Sequence, residues 1–163
     1  MTGSSGSIVR GKYAVLDTNA VLDWLVFDGP VARPMKEAIL DGRLIPLTNT
    51  ACFAELERVL SYAKLRVETP RREAVLTAYR NTALWIEPSL PASGTPQKIP
   101  RCRDPDDQKF LELAVTGRAA YLISRDARVL GTARRMEAAF GVRVLNTLKL
   151  AEALQTTCLD EAN

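Results

Sequence analysis

The sequence predicts an α/β fold, a three-layer α/β/α sandwich with a mainly parallel central sheet. Short apolar runs such as YAVL, LIPL and YLI read as buried strands, and each is followed by a stretch with apolar residues at helical spacing. Strands alternating with helices imply parallel pairing with helices covering both faces. The chain has 163 residues, 47% of them apolar, which is enough for one domain with a sizeable core.

Taken in order, MTGSSGSIVRG (1–11) is small, polar and basic and reads as a flexible leader with no apolar signal core. KYAVL (12–16) is the first strand, and Val21, Leu22, Leu25 and Val26 form a helical stripe behind it. A second helix is expected from about Pro30 to Leu40, stopped by Asp41-Gly42, and RLIPLT (43–48) is the next strand. Asn49 or Thr50 caps a helix with Phe53, Leu56, Leu60 and Ala63 on its apolar face. Another helix begins after Pro70 and carries Val75, Leu76, Tyr79 and Leu84, and LWIEP supplies a short strand. Residues 88–101, with Pro88, Pro91, Pro96 and Pro100 around Gly94, form a long irregular loop rather than a linker. A helix from Pro105 to Gly117, a strand AAYLIS (119–124), a helix through Leu130 and Met136, and a strand VRVL (142–145) follow. A short helix, LKLAEAL, leads into a polar tail at 155–163, so residues 12–154 form a single domain.

Composition removes several classes of chemistry. With no histidine, neither Ser-His-Asp nor Cys-His nucleophile machinery nor a histidine acid–base pair can operate. Cys52, Cys102 and Cys158 are odd in number and widely spaced, which argues for free thiols and against a zinc site. The apolar stretches are too short to span a bilayer, and a cytoplasmic protein is expected. The net charge of +3 is small, but Arg101, Arg103, Arg118, Arg125, Arg128, Arg134 and Arg135 concentrate in the C-terminal half. Arginines there suit nucleic-acid phosphates, although such residues more often form a solvated face.

Four acids stand where apolar runs give way to loops or helices: Asp17 in YAVLDTN, Glu55 in FAELERVL, Asp107 in RDPDDQKFLELA and Asp126 in YLISRD. Each has a structural role available to it. Asp17 fits an Asx turn or helix cap, Glu55 a first-turn acid facing the helix dipole, and Asp126 a cap for the helix at Ala127. Asp104 fits an N-cap ahead of Pro105, with Asp107 in the same capping box. Together they suggest more, because carboxylates brought close cannot all stay ionised unless a cation neutralises them. A hard ion such as Mg²⁺ or Mn²⁺ prefers such oxygen ligands, and metal-dependent phosphodiester chemistry is the leading expectation. In an open α/β sheet, sites form at the carboxyl ends of strands, where Asp17 and Asp126 fall.

The order LDTN, AELERVL, DPDDQKFLELA, LISRD, running from about Tyr13 to Leu154, resembles the PIN-domain nucleases and is most similar to the branch acting as toxins of toxin–antitoxin systems. The resemblance implies a PIN-like fold, with Asp17, Glu55, Asp107 and Asp126 in the family's metal-binding acidic positions and Asn19 and Ser124 in its supporting polar positions. The resemblance favours Asp107 over Asp104 and Asp106, because the family's aspartate stands seven residues before a small helix residue, here Ala114. It further implies a Mg²⁺- or Mn²⁺-dependent ribonuclease acting on single-stranded or structured RNA, an antitoxin partner and a homodimer or higher homo-oligomer. The proline-rich stretch 88–101 departs from a minimal toxin of this type and bears on substrate specificity and dimer geometry. Two rivals stay open. A phosphatase-like enzyme would use Asp17 as nucleophile, but its usual second aspartate is Asn19 here. A non-catalytic phosphoacceptor or binding module would keep Asp17 in an acidic Mg²⁺ pocket.

Overall fold

The computed structural model describes residues 12–87 and 98–161. The leader at 1–11 and most of the proline-rich stretch lie outside the described residues.

Five strands form one sheet: β1 (Lys12–Leu16), β2 (Leu44–Thr48), β3 (Leu84–Trp85), β4 (Tyr121–Ile123) and β5 (Arg143–Leu145), in the order β3-β2-β1-β4-β5. Every pairing is parallel. The period-two alternation of strand side chains divides the core between the faces. Ala14, Leu16, Tyr121 and Ile123 point to one face, and Val15, Leu47, Leu122 and Val144 to the other. On the first face they meet α1 (Thr18–Leu22), α2 (Arg33–Leu40), α3 (Thr50–Leu60), α4 (Thr69–Thr82) and α8 (Thr147–Glu161). On the second they meet α5 (Gln108–Thr116), α6 (Ala127–Leu130) and α7 (Ala133–Phe140). This is the expected three-layer sandwich. Leu122 and Ile123 are wholly buried, and each such side chain contributes roughly 1.5–3 kcal/mol by leaving water.

The topology locates a crevice. From β1 the chain builds outward through β2 and β3, then returns to the other side of β1 to lay down β4 and β5. The order therefore reverses at the β1–β4 seam, where the loops leaving neighbouring strands part and ligands settle at the carboxyl ends. Asp17 leaves β1 and Ser124-Arg125-Asp126 leave β4 at that seam.

Several elements differ from the sequence expectation. Leu84 does not extend the apolar stripe of α4: that helix ends at Thr82, and Leu84 is an exposed residue of the edge strand β3. Ala63 falls beyond α3, which closes at Leu60, and starts a short 3₁₀ turn. Past Leu22, α1 widens into a π-helical turn at Asp23–Phe27. The helix placed at Pro105 opens as a 3₁₀ turn, Pro105–Asp107, before α5. Finally, α8 continues to Glu161 through residues expected as a polar tail, with Thr156 and Thr157 donating their hydroxyls to the carbonyls of Glu152 and Ala153. Gly42, at φ +79°, ends the turn after α2 in the left-handed region, as its stop signal requires.

Candidate active site

Asp17 is the buried acid at the seam, 5% exposed. Its backbone N–H donates to the Ile123 carbonyl at 3.0 Å, which stitches the end of β1 to β4. Its side chain caps α1, Oδ1 accepting from the Ala20 N–H at 2.8 Å, while Oδ2 accepts from Ser124 Oγ at 2.5 Å. Burial pushes the Asp17 carboxyl up to about 6, although the bonds from Ser124 and Ala20 and the charge of Arg125 oppose that rise. Carrying its charge at neutral pH therefore costs on the order of 3 kcal/mol. An ordinary helix cap is solvated and has no such cost, so the cap alone does not account for this residue.

Glu55 sits in the second turn of α3 rather than the first, which moves it off the helix dipole and towards the crevice. Thr18 Oγ1 donates to its Oε2, and the Lys109 ammonium donates to Oε1 at 2.7 Å. Arg58 lies farther off at 3.7 Å. Lys109, on the first turn of α5, also donates to the Asp106 carbonyl at 2.7 Å, which fixes it between α3 and the DPDD turn.

In that turn Asp104 is the cap, Oδ1 accepting from the Asp106 N–H at 3.0 Å, and its Oδ2 pairs with Arg128 at 3.0 Å. Asp106 is exposed. Asp107 is half-buried, and none of its side-chain oxygens caps a helix. Its carboxyl is pushed up to about 6, by burial first and then by the charges of Asp104, Asp126, Glu55 and Asp17. The charges of Asp104, Asp126, Glu55 and Asp17 all act in the same direction on this one carboxyl. Asp126 caps α6 through the Arg128 N–H and forms an ion pair with the Arg128 guanidinium. Those bonds hold it below the usual carboxylate range. Ser124 Oγ also accepts from the Asp126 N–H at 3.0 Å, joining the two loops.

Of the predicted residues, Asp17, Ser124 and Asp126 are joined directly by hydrogen bonds, Glu55 is tied to Thr18 next to Asp17, and Asp107 makes no side-chain bond to the other acids among the described contacts. Asn19 is exposed and makes no hydrogen bond to them among the described contacts; the neighbouring Thr18 reaches Glu55 instead. Thr18 and Lys109 are the polar residues that sequence reasoning missed, and Arg128, noted there only among arginines suited to phosphates, pairs with Asp104 and Asp126 instead. Arg128 had a local signal, two residues from Asp126. Lys109 and Thr18 had none, because their partner Glu55 is 54 and 37 residues away.

The donor set is carboxylate and hydroxyl oxygen with no imidazole or thiolate, which suits a hard divalent ion rather than zinc. Among the described residues no three acidic or thiol groups stand in a ready-made cluster, and Glu55, Asp104 and Asp126 are paired with Lys109 or Arg128. Asp17 and Asp107, both costly to ionise, are the two with no cationic side chain bonded to them. The set fits a cation that supplies the missing positive charge.

No described helix is long and apolar enough to cross a membrane. A family model described as PIN domain matches residues 13–128. No curated protein and no solved structure matches the chain. Proteins with this domain are generally nucleases that use divalent metals and act on nucleic acid.

Proposed function

The chain belongs to the PIN-domain family, and we propose that within it this protein is a Mg²⁺- or Mn²⁺-dependent endoribonuclease, the toxin of a toxin–antitoxin pair working in the cytoplasm. The observation that supports the reading is the pair Asp17, at the sheet's switch point, and Asp107, in the turn before α5, two carboxyls pushed up to about 6 with no cationic side chain bonded to either among the described residues. Asp17 and Asp107 would be the primary ligands, with Glu55 and Asp126 completing the site directly or through water, since Mg²⁺ keeps several of its waters. When bound, such an ion lowers the pKa of water and neutralises charge growing on phosphoryl oxygens.

The chain's own residues do the rest. Ser124 and the Ala20 N–H hold both Asp17 oxygens in fixed directions, so the carboxylate needs no reorganisation. Thr18 fixes Glu55 from one side, and Lys109 balances its charge from the other. Arg125, exposed between Ser124 and Asp126, is placed to meet a substrate phosphate. Histidine acid–base cleavage through a ribose 2′-hydroxyl is closed to this chain, and attack by metal-activated water would leave 5′-phosphate and 3′-hydroxyl ends. The choice of RNA, an antitoxin that inserts an arginine or lysine among the acids, and a homodimer through the N-terminal helices rest on the resemblance of the ordered motifs.

The test is cleavage of single-stranded RNA by purified protein. It should require Mg²⁺ or Mn²⁺, stop in EDTA, and disappear in Asp17→Ala and Asp107→Ala variants that remain folded. Cleavage in excess chelator, or by both variants, contradicts the reading. Expression without an inhibitor should slow host growth, and Asp17→Ala should relieve this; arrest by the inactive variant would point to a binding function.

A further inference from the structure

Against the loop that leaves β4 lies a concavity of about 360 Å³, lined through Arg125 but by none of the four candidate acids. Its wall is the π-helical turn after α1, where Phe27 is left 52% exposed, together with Val31 and Leu148, 57% and 58% exposed. π-Turns inside helices occur often at functional sites, and this one displaces a large aromatic from the core into solvent. The polar lining is Asp23, Arg125 and Asn146. Arg125 pairs with Asp23 at 3.2 Å and is directly preceded by Ser124 and followed by Asp126, so the pocket adjoins the loop that carries both. Asn146 Oδ1 accepts from the Lys149 N–H, which leaves its amide N–H groups to donate.

Resting on the ribonuclease reading, we infer that this pocket is a subsite for one unstacked base of a single-stranded RNA whose adjoining phosphate lies at the acids, with Phe27 stacking on the base and Arg125 meeting the backbone. The volume lies at the lower end of the ~300–1,000 Å³ usual for ligand pockets, suited to one nucleotide and too small for a duplex. A base can enter only when splayed from its neighbours, as in loops and single strands. An aromatic face serves any base, whereas Asn146 and Asp23 offer a donor and an acceptor that discriminate among base edges. Arg125 is itself exposed, so its single ion pair with the half-buried Asp23 is weak enough to be exchanged for phosphate. A protein partner would leave the cation and amide beside the acids unexplained.

The experiment is steady-state cleavage of a short single-stranded RNA in Mg²⁺ by the full chain. Phe27→Ala and Phe27→Leu should raise KM roughly 10-fold while kcat holds, and Phe27→Trp should restore KM. An abasic nucleotide scanned along the substrate should, at one position beside the cut, cost the wild type as much as Phe27→Ala does and cost Phe27→Ala nothing further. An unchanged KM in Phe27→Ala and Phe27→Leu, or additive losses at every abasic position, overturns the subsite while leaving the nuclease intact. Dissociation of a dimer by Phe27→Ala with KM unchanged overturns it too, because the face is then a contact between copies. No cleavage of RNA by the wild type overturns the ribonuclease reading and the subsite together.

Discussion

Ser124 Oγ donates to Asp17 Oδ2 at 2.5 Å across 107 residues of sequence, and the same oxygen accepts from the Asp126 N–H. One buried hydroxyl therefore fixes the acid leaving β1 and the acid leaving β4 in a single frame. The bond to Asp17 favours its charged form against burial. Ser124→Ala should raise the Asp17 carboxyl further, so that the acid limb of the metal-dependent activity moves to higher pH. A pH–rate profile checks this, and an unmoved acid limb would mean that Ser124 only packs the loop.

Asp17 makes a pH-dependent contribution to stability whose sign is fixed. Its folded value of about 6 lies above the model-peptide value of 3.8, so the folded state holds the proton more tightly. The resulting stability is fully present below about pH 4 and is lost as pH rises through about 6. Without metal, Asp17→Asn should therefore match the wild type near pH 4 and melt higher at pH 7, while its Mg²⁺-induced rise in Tm shrinks. A gap between the two Tm values that does not widen with pH would reduce Asp17 to a turn residue.

Lys109 is predicted to compete with a cation for Glu55. Removing it by Lys109→Met leaves a carboxylate only 12% exposed without its closest cationic partner, which should destabilise the metal-free protein by about 1–3 kcal/mol. The same change should tighten Mn²⁺ binding, since Glu55 becomes free to ligate. Weaker Mn²⁺ binding by titration calorimetry would assign Lys109 to the substrate instead.

The DPDD turn separates capping from chemistry. Asp104→Ser can still accept from the Asp106 N–H and loses only the partly exposed pair with Arg128, a change of at most ~1 kcal/mol. It should keep most activity. Asp107→Asn should stay folded, melt no lower, and lose cleavage. The reverse outcome in paired melting and cleavage assays would make Asp104 the ligand.

What could be read in the sequence was local or periodic. Alternation in YAVL and YLI fixed the strands and their two faces, and Asp17 and Asp126 were found because each closely follows such a run. Asn49 and Asp104 were recognisable caps and do cap. Boundaries were less visible: Leu84 and Ala63 continue the apolar spacing of α4 and α3 in sequence, yet both chains of hydrogen bonds end earlier. Long-range pairs were invisible. Nothing local links Lys109 or Thr18 to Glu55, and the nearer polar neighbour Asn19 turned out to face solvent. The π-turn that exposes Phe27 also left no mark, because DWLVF reads as an ordinary continuation of an apolar helix.

The central claim is that Asp17 and Asp107 share a divalent cation. Anomalous diffraction from crystals soaked in Mn²⁺ tests it most directly. The account predicts one or two anomalous peaks in the crevice, with an oxygen of Asp17 and of Asp107 within roughly 2.0–2.3 Å and waters filling the remaining positions. Crystals that bind Mn²⁺ elsewhere, with Asp17 still bonded only to Ser124 and Ala20, would contradict it.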